Sequence, residues 1–313
     1  MDNSDIVVVG SCNMDLVTYT PRLPLKGESI HGHRYVTGFG GKGANQCVAA
    51  TKLGAKTSMV SRVGEDSHGE QYIENFKTLK VNTDHVIKTK NETTGVAPIT
   101  VADDGSNCLV IVPGANMILS SDDVEQAYNC IKNCKVLLCQ LEVQPSTSLH
   151  ALKLAKSLGI TTIFTPAPAP VAKLDEKFFE YADVICPNET EAEALTGIAV
   201  TDTESGKKAA QVLVKKGCQI GIVTLGQNGC VFAEKSTNKV VHVPAPAVKP
   251  VDTTGAGDAF TGALAFYLAR FPELPTEEKL QRSCQVASFS VCRNGTQTSY
   301  PFHHELPKKL TSA

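Results

Sequence analysis

The stretch VDTTGAGDAFTGAL, residues 251–264, sets the most specific chemical requirements in this chain. Its spacing predicts an extended arrival, a tight glycine turn and then a helix, because Phe260, Ala263, Leu264 and Tyr267 fall at i, i+3, i+4 and i+7. Gly255, Ala256 and Gly257 would open that helix, and first-turn N–H groups without helical partners can converge on an anion. Asp258 follows in the first turn. A carboxylate there suits the helix dipole, yet it repels a bound phosphate unless a proton or a metal ion intervenes. An acid beside an anion hole is what phosphoryl transfer to a hydroxyl requires: a base for the proton and dipoles for the moving phosphoryl group. A glycine-rich helix start also serves close packing, so other residues must decide.

Asn13 and Asp15 come just after a short apolar run, residues 6–10. An amide and a carboxylate at the end of a buried strand suit vicinal hydroxyls, and they also suit a turn cap. GFGGKGAN, residues 38–45, contains G-x-G-x-x-G and precedes a helical pattern over 44–53. A dinucleotide site would take Glu65 or Asp66 as its ribose ligand, but its glycines follow the first strand directly, and here a β-prone stretch intervenes. Nor is this a P-loop, because Lys42 is followed by Gly43. What remains is an approachable backbone with Lys42 and Asn45 beside it, suited to a ligand with several oxygens. Glu142 adds an acceptor after the run at 136–141. Asn188 and Glu191 share a helix-start face, where they form either a capping box or an oxygen pair for magnesium. Thr224-Leu225-Gly226 ends another apolar run and Gly229 closes its turn, a shelf on which a nucleotide can rest.

The elements that must position these residues follow from periodicity. Short apolar runs at 6–10, 136–139, 162–165, 184–186 and 220–224 alternate with helical patterns such as Ala151, Leu154, Ala155, Leu158 and Val124, Ala127, Tyr128, Ile131. That alternation predicts an α/β fold: a central, mostly parallel sheet with helices on both faces in a three-layer, Rossmann-type arrangement, with ligands beyond the strand ends. Residues 13–40 and 95–112 break it. Their β-prone, helix-free composition predicts a small antiparallel sheet inserted in a single domain spanning 1–313, either as a lid over the strand ends or as an edge hairpin without motion. With 313 residues and 42% hydrophobic content the chain can bury a large core, and a net charge of −2 argues against nucleic acid or an anionic membrane as partner. No apolar stretch reads as a leader or membrane span, and most of the eleven cysteines sit in apolar runs, so reduced thiols and a cytoplasmic location are expected, with the nucleus open. Cys130 and Cys134 lack the partners that a zinc site needs.

In order, GSCNMDL, GFGGKGANQ, CQLE, NETEAE, TLGQNG, DTTGAGDAF and GTQTSYP run nearly from end to end, and with them the chain resembles the ribokinase-like (carbohydrate kinase) family. The resemblance implies ATP-dependent phosphorylation of D-ribose at O5, with magnesium and a potassium activator. It implies that Asn13, Asp15, Gly41, Lys42, Gly43, Asn45 and Glu142 hold the sugar, with Asp258 as base and Gly255, Ala256 and Gly257 as the anion hole. Asn188, Thr224, Leu225, Gly226, Gln227, Asn228, Gly229, Gly257 and Cys284 would line the ATP site, with Glu191 acting on magnesium indirectly. Asp252, Thr254, Ser290, Arg293, Gly295 and Ser299 would hold potassium behind the anion hole, several through backbone carbonyls. Gly255 replaces a commoner alanine, and Cys284 a commoner His or Asn. The family also implies a homodimer through paired lid sheets. Kinases for deoxyribose, fructose or adenosine share the GAGD turn and stay open as alternatives. A dinucleotide-dependent oxidoreductase built on residues 38–43 is a further one, and a sugar sensor without chemistry is disfavoured by an intact Asp258 beside a complete turn.

Overall fold

The computed structural model describes residues 4–312. The first part of the chain forms β1 (Ile6–Val9), β2 (Asn13–Thr20), β3 (Arg34–Gly40), α1 (Lys42–Lys52), β4 (Thr57–Gly64), α2 (Ser67–Thr78), β5 (Asn82–Thr89), β6 (Gly95–Ala102) and β7 (Asn107–Leu109). The middle forms α3 (Ser121–Gln126), α4 (Tyr128–Ile131), β8 (Val136–Cys139), α5 (Pro145–Ser157), β9 (Thr161–Phe164), α6 (Lys177–Tyr181), β10 (Val184–Ile185), α7 (Glu189–Thr196) and α8 (Thr203–Lys216). The last part forms β11 (Ile220–Thr224), β12 (Cys230–Glu234), β13 (Lys239–Val243), α9 (Ala256–Arg270) and α10 (Thr276–Ser290).

A strand that is apolar at every position must be covered on both faces, and β1 is. Its alternate side chains enter opposite cores. Ile6 and Val8 join the cluster that includes α1, α2, α9 and α10, while Val7 and Val9 join the one that includes α5, α6, α7 and α8. Among the described residues the large sheet runs β13-β12-β11-β10-β9-β8-β1-β4-β5. It is parallel from β11 to β5, with β12 and β13 added antiparallel at one edge. The chain leaves β1 for β4 on one side and returns with β8 on the other, so the gap between the ends of β1 and β8 is the switch point where ligands gather.

The second sheet runs β3-β2-β6-β7. Its β2–β3 and β6–β7 pairs are antiparallel, but β2 and β6 are parallel, from Asn13 opposite Gly95 to Thr20 opposite Ala102. The expected antiparallel sheet is therefore mixed. The reason lies in the main sheet: β2 continues outward from β1 and β6 from β5, and those two strands already point the same way. The single helix expected across Val124 to Ile131 is also interrupted. At Ala127 the N–H is shared between Asp123 O at 3.2 Å and Val124 O at 3.1 Å, which tightens the turn and separates α3 from α4. Among the described residues no helix is long and apolar enough to cross a membrane, and no disulfide forms.

Helices α1 and α9 lie side by side on one face of the sheet, and Gly262 permits their approach. A Cβ there would stand 2.6 Å from both Ala49 Cβ and Gln46 O. Gly262→Ala is therefore expected to lower unfolding stability by about 1–3 kcal/mol through overpacking, measurable as a shifted urea midpoint with an unchanged slope.

Candidate active site

The turn before α9 is built on Gly255 at φ 75°, a left-handed conformation that suits glycine. A Cβ at this position would lie 2.5 Å from Thr296 Cγ2 and 2.6 Å from the Tyr300 hydroxyl, so an alanine does not fit here without a shift of both. Tyr300 OH in turn donates to Gly255 O at 3.2 Å. No side chain caps the helix, which leaves its opening to a ligand. Of the three residues expected to form an anion hole, Ala256 has its N–H closed on Thr253 O at 3.2 Å. A cavity of about 180 Å³ opens here, lined by this turn, Lys42, Asn188, Glu191, Thr224 and Asp258. Thr165, Cys186, Thr253 and Thr261 line it too. Thr165 and Cys186 sit at the ends of apolar runs, and Thr253 and Thr261 sit inside the glycine-turn stretch, where none of the four was singled out.

Asp258 is 8% exposed at the edge of this cavity. Its Oδ2 accepts from Asn45 Nδ2 and its Oδ1 from Gln46 Nε2, both at 3.0 Å. Donors to both oxygens favour the carboxylate form. Burial nevertheless raises its pKa, against the pull of Lys42 and the two amides. Burial also works against the Lys42 ammonium, yet Asp258, Glu142 and Glu191 outweigh it and hold its pKa above the usual value.

On the lid side, Glu142 follows β8 and meets the end of β1 across the switch point. Its Oε2 accepts from Ser11 Oγ at 2.6 Å and from the Lys42 N–H at 2.8 Å. Gly41 caps α1, and Asn13 and Asp15 lie at the base of β2. Asn13 is therefore in a strand and not in a turn cap. Its Oδ1 accepts from Asn116 Nδ2 at 2.7 Å, while Asn116 Oδ1 accepts from the Cys12 N–H at 2.8 Å. Asn116, buried in the short helical turn Gly114–Ile118 after the lid hairpin, was not anticipated. A lone polar residue in a loop carries no periodic signal. A second, largely apolar cleft of about 670 Å³ adjoins Asn13 and Glu142. Asp15 has its pKa raised to about 7 by burial first, and then by the negative charges of Glu142 and Asp258.

Asn188 and Glu191 do form a capping box, with Asn188 Oδ1 accepting from the Glu191 N–H and Glu191 Oε2 from the Asn188 N–H, both at 2.9 Å. They line the cavity all the same, with Glu191 Oε1 outside the cap. Leu225 is buried, and Gly226, Gln227 and Asn228 form an exposed turn that Gly229 closes before β12. Cys284 lies inside the core, 3% exposed, with its Sγ 4.0 Å from Cys230 Sγ. The segments proposed to hold a cation do meet: Asp252 Oδ2 accepts from the Gly295 N–H and Oδ1 from the Thr254 N–H, both at 2.9 Å, and the Val251 N–H donates to Val291 O at 2.7 Å. Arg293 pairs with Glu305 at 2.9 Å, which leaves only its backbone to the loop. Ser290 Oγ donates to Ala287 O and Ser299 Oγ to Thr296 O.

The dinucleotide reading fails on two placements. The strand entering the glycines is β3, in the small sheet and antiparallel to β2, so no βαβ unit is formed. Asp66 caps α2 and accepts from the N–H groups of Gly69 and Thr94, both at 2.8 Å.

A family model described as pfkB family carbohydrate kinase matches residues 3–303. The chain is 51% identical over 305 residues to mouse ribokinase, covering 97% of this chain and 94% of that protein. It is 41% identical over 297 residues to a deoxyribokinase of Salmonella typhi, covering 95% of each. Among solved structures it is similar to Arabidopsis thaliana ribokinase complexed with ribose and ATP, with a TM-score of 0.89, 33% identity and full coverage of both chains.

A carbon-detected titration of the Asp15 carboxyl should give a midpoint near about 7. Removing a like charge with Glu142→Gln should move it down; an unmoved midpoint would leave burial as the whole cause.

Proposed function

The chain belongs to the pfkB family of carbohydrate kinases, and we infer that it transfers the γ-phosphoryl group of ATP to O5 of D-ribose with Asp258 as the base. The enzyme is a ribose kinase, and ATP is its co-substrate. The sugar lies between the base of the lid and the start of α1, where Asn13, Asp15, Glu142 and the second hydrogen of Asn45 Nδ2 meet its hydroxyls. Lys42 and the amides of Gly255 and Gly257 take up the charge of the moving phosphoryl, while Thr224 to Gly229 support the nucleotide. The proton of the 5-hydroxyl passes to Asp258 as the phosphorus–oxygen bond forms. The observation that carries this reading is the placement of a carboxylate, held by two amide donors, in the first turn of an uncapped helix beside a small cavity.

Among the described residues no cluster of three acidic, His or Cys side chains could cage a divalent ion. That fits magnesium held chiefly by phosphate oxygens and water, with Glu191 Oε1 reaching its water shell. Magnesium bound with ATP supplies neutralisation of phosphate charge. Potassium would be held by the loop of Asp252, Thr254, Ser290, Arg293, Gly295 and Ser299, whose one carboxylate, Asp252, joins two of its segments and whose backbone carbonyls would supply further hard oxygen donors. Asp252→Ala should abolish stimulation by potassium and lower kcat to the potassium-free rate of the unaltered enzyme; stimulation that persists would remove the loop from consideration.

A 2-deoxy sugar is the second reading, favoured by the 41% identity to a deoxyribokinase. The lid is expected to close over the sugar and exclude water. Leu109, Val110, Ile111 and Val112, between 44% and 60% exposed at the lid edge, suit pairing of two lids in a homodimer. Eleven cysteines without a disulfide suit a cytoplasmic location.

Asp258→Asn should keep ribose and ATP binding by calorimetry while ADP release falls by about 10²–10⁴-fold. Turnover near that of the unaltered enzyme would refute the role of base.

A further inference from the structure

The two amides that hold Asp258 are themselves held by two more. Gln140 Nε2 donates to Gln46 Oε1 at 2.7 Å, and Gln297 Nε2 donates to Asn45 Oδ1 at 3.1 Å. All four side chains are at most 5% exposed. A primary amide has two ends of nearly the same shape, and which end faces a carboxylate decides the sign of the interaction. With the outer amides donating inward, the inner ones must present NH2 groups to Asp258.

The direction has a visible consequence. Gln140 Oε1 is buried against Gly10 and has no hydrogen-bond partner among the described residues. Turning Gln140 over would let that oxygen accept from Gln46, but would also swing Gln46 Oε1 onto the oxygens of Asp258. The fold retains the unpartnered oxygen instead. On the other arm nothing is left over: Gln297 Oε1 accepts from Asn75 Nδ2 at 3.1 Å, and Nε2 donates also to Tyr72 OH at 3.0 Å.

We propose that Gln140 and Gln297 are positioning residues for the transfer: acting through Gln46 and Asn45, they fix Asp258 as an ionised carboxylate with a lone pair on each oxygen open to the substrate. This rests on Asp258 as the base. The charged and titratable groups that face it are Lys42 from α1, Glu142 after β8, Asp15 from β2, Glu191 from α7 and the phenol of Tyr300. Lys42 favours ionisation of Asp258, and the three carboxylates and burial oppose it. Burial keeps the Asp258 pKa above its ordinary value even so, and the two neutral donors of fixed direction limit the rise.

The test is the dependence of kcat/KM for ribose on pH in Gln46→Leu, Gln46→Glu, Gln140→Met and Gln297→Met, with Asp258→Asn as reference and thermal unfolding as a check of folding. Losing a donor to the ionised form raises the pKa of the base, so the acid limb of Gln46→Leu should move up by about one pH unit. Gln46→Glu adds a like charge and should move it further. Gln140→Met and Gln297→Met should move it in the same direction by less, lowering kcat more than they raise KM for ribose. If Gln140→Met does not fold, Gln140→Glu, which presents an acceptor inward in the same shape, should shift the limb likewise. Acid limbs that stay in place in folded Gln46 and Gln140 variants, while Asp258→Asn is inactive, overturn the positioning role and leave the base intact. An active Asp258→Asn overturns the base and the proposal with it.

Discussion

If Asp258 is the base, as proposed, a carboxylate has to stay ionised in the interior while a polyanion arrives within reach of it. Desolvation and the approaching phosphate both push Asp258 towards its neutral form, in which it is useless as a base. The molecule answers with Lys42, which the surrounding acids keep charged, and with amide donors that stabilise the anion without adding charge. Neutral donors have an advantage here: a second cation at Asp258 would favour ionisation but would also weaken the base.

The fold follows from that requirement. Asn45 and Gln46 are consecutive on α1 and Asp258 begins α9, so the clamp exists only where these two helices touch, which Gly262 makes possible. Glu142 and Ser11 come from the ends of β8 and β1, on either side of the switch point, and they fix the start of α1 through the Lys42 N–H. The lid is tied to the same place. Because β2 leaves the end of β1 directly, Asn13 and Asp15 stand at the joint between the two sheets and not out on the lid.

Much of this could be read from the chain. The uninterrupted apolar runs announced a parallel sheet, and the glycine turn at 255–257 with Asp258 after it announced the start of a helix, whose use as an anion hole with a base is the proposed one. What stayed hidden had weaker local signals. Residues 57–89, which supply β4, α2 and β5, have burial patterns with many half-exposed positions in β5, and no run stood out. The parallel pairing of β2 with β6 depends on the direction of strands elsewhere in the sheet, which no segment encodes by itself. Gln46, Asn116, Gln140 and Gln297 are single amides far apart in sequence. A buried amide matters through what it faces, and sequence spacing says nothing about that.

The C-terminal segment shows how such distant residues become one unit. Lys52, at the end of α1, donates to Gln297 O at 2.7 Å and to Tyr300 O at 3.1 Å, and its ammonium lies 4.5 Å from the centre of the Phe302 ring. Burial pushes its pKa down to about 8, so at neutral pH it still carries a proton and can donate to both carbonyls. The same segment presents Gln297 to Asn45 and Tyr72, and Tyr72 OH donates to Gly40 O at the foot of the lid. One loop therefore touches three places: the turn before α9 through Tyr300, the Asn45 amide that holds Asp258, and, through Tyr72, the end of β3. All three contacts run through residues 297–300. That is a physical route by which a cation bound behind the anion hole would act on catalysis without meeting either substrate.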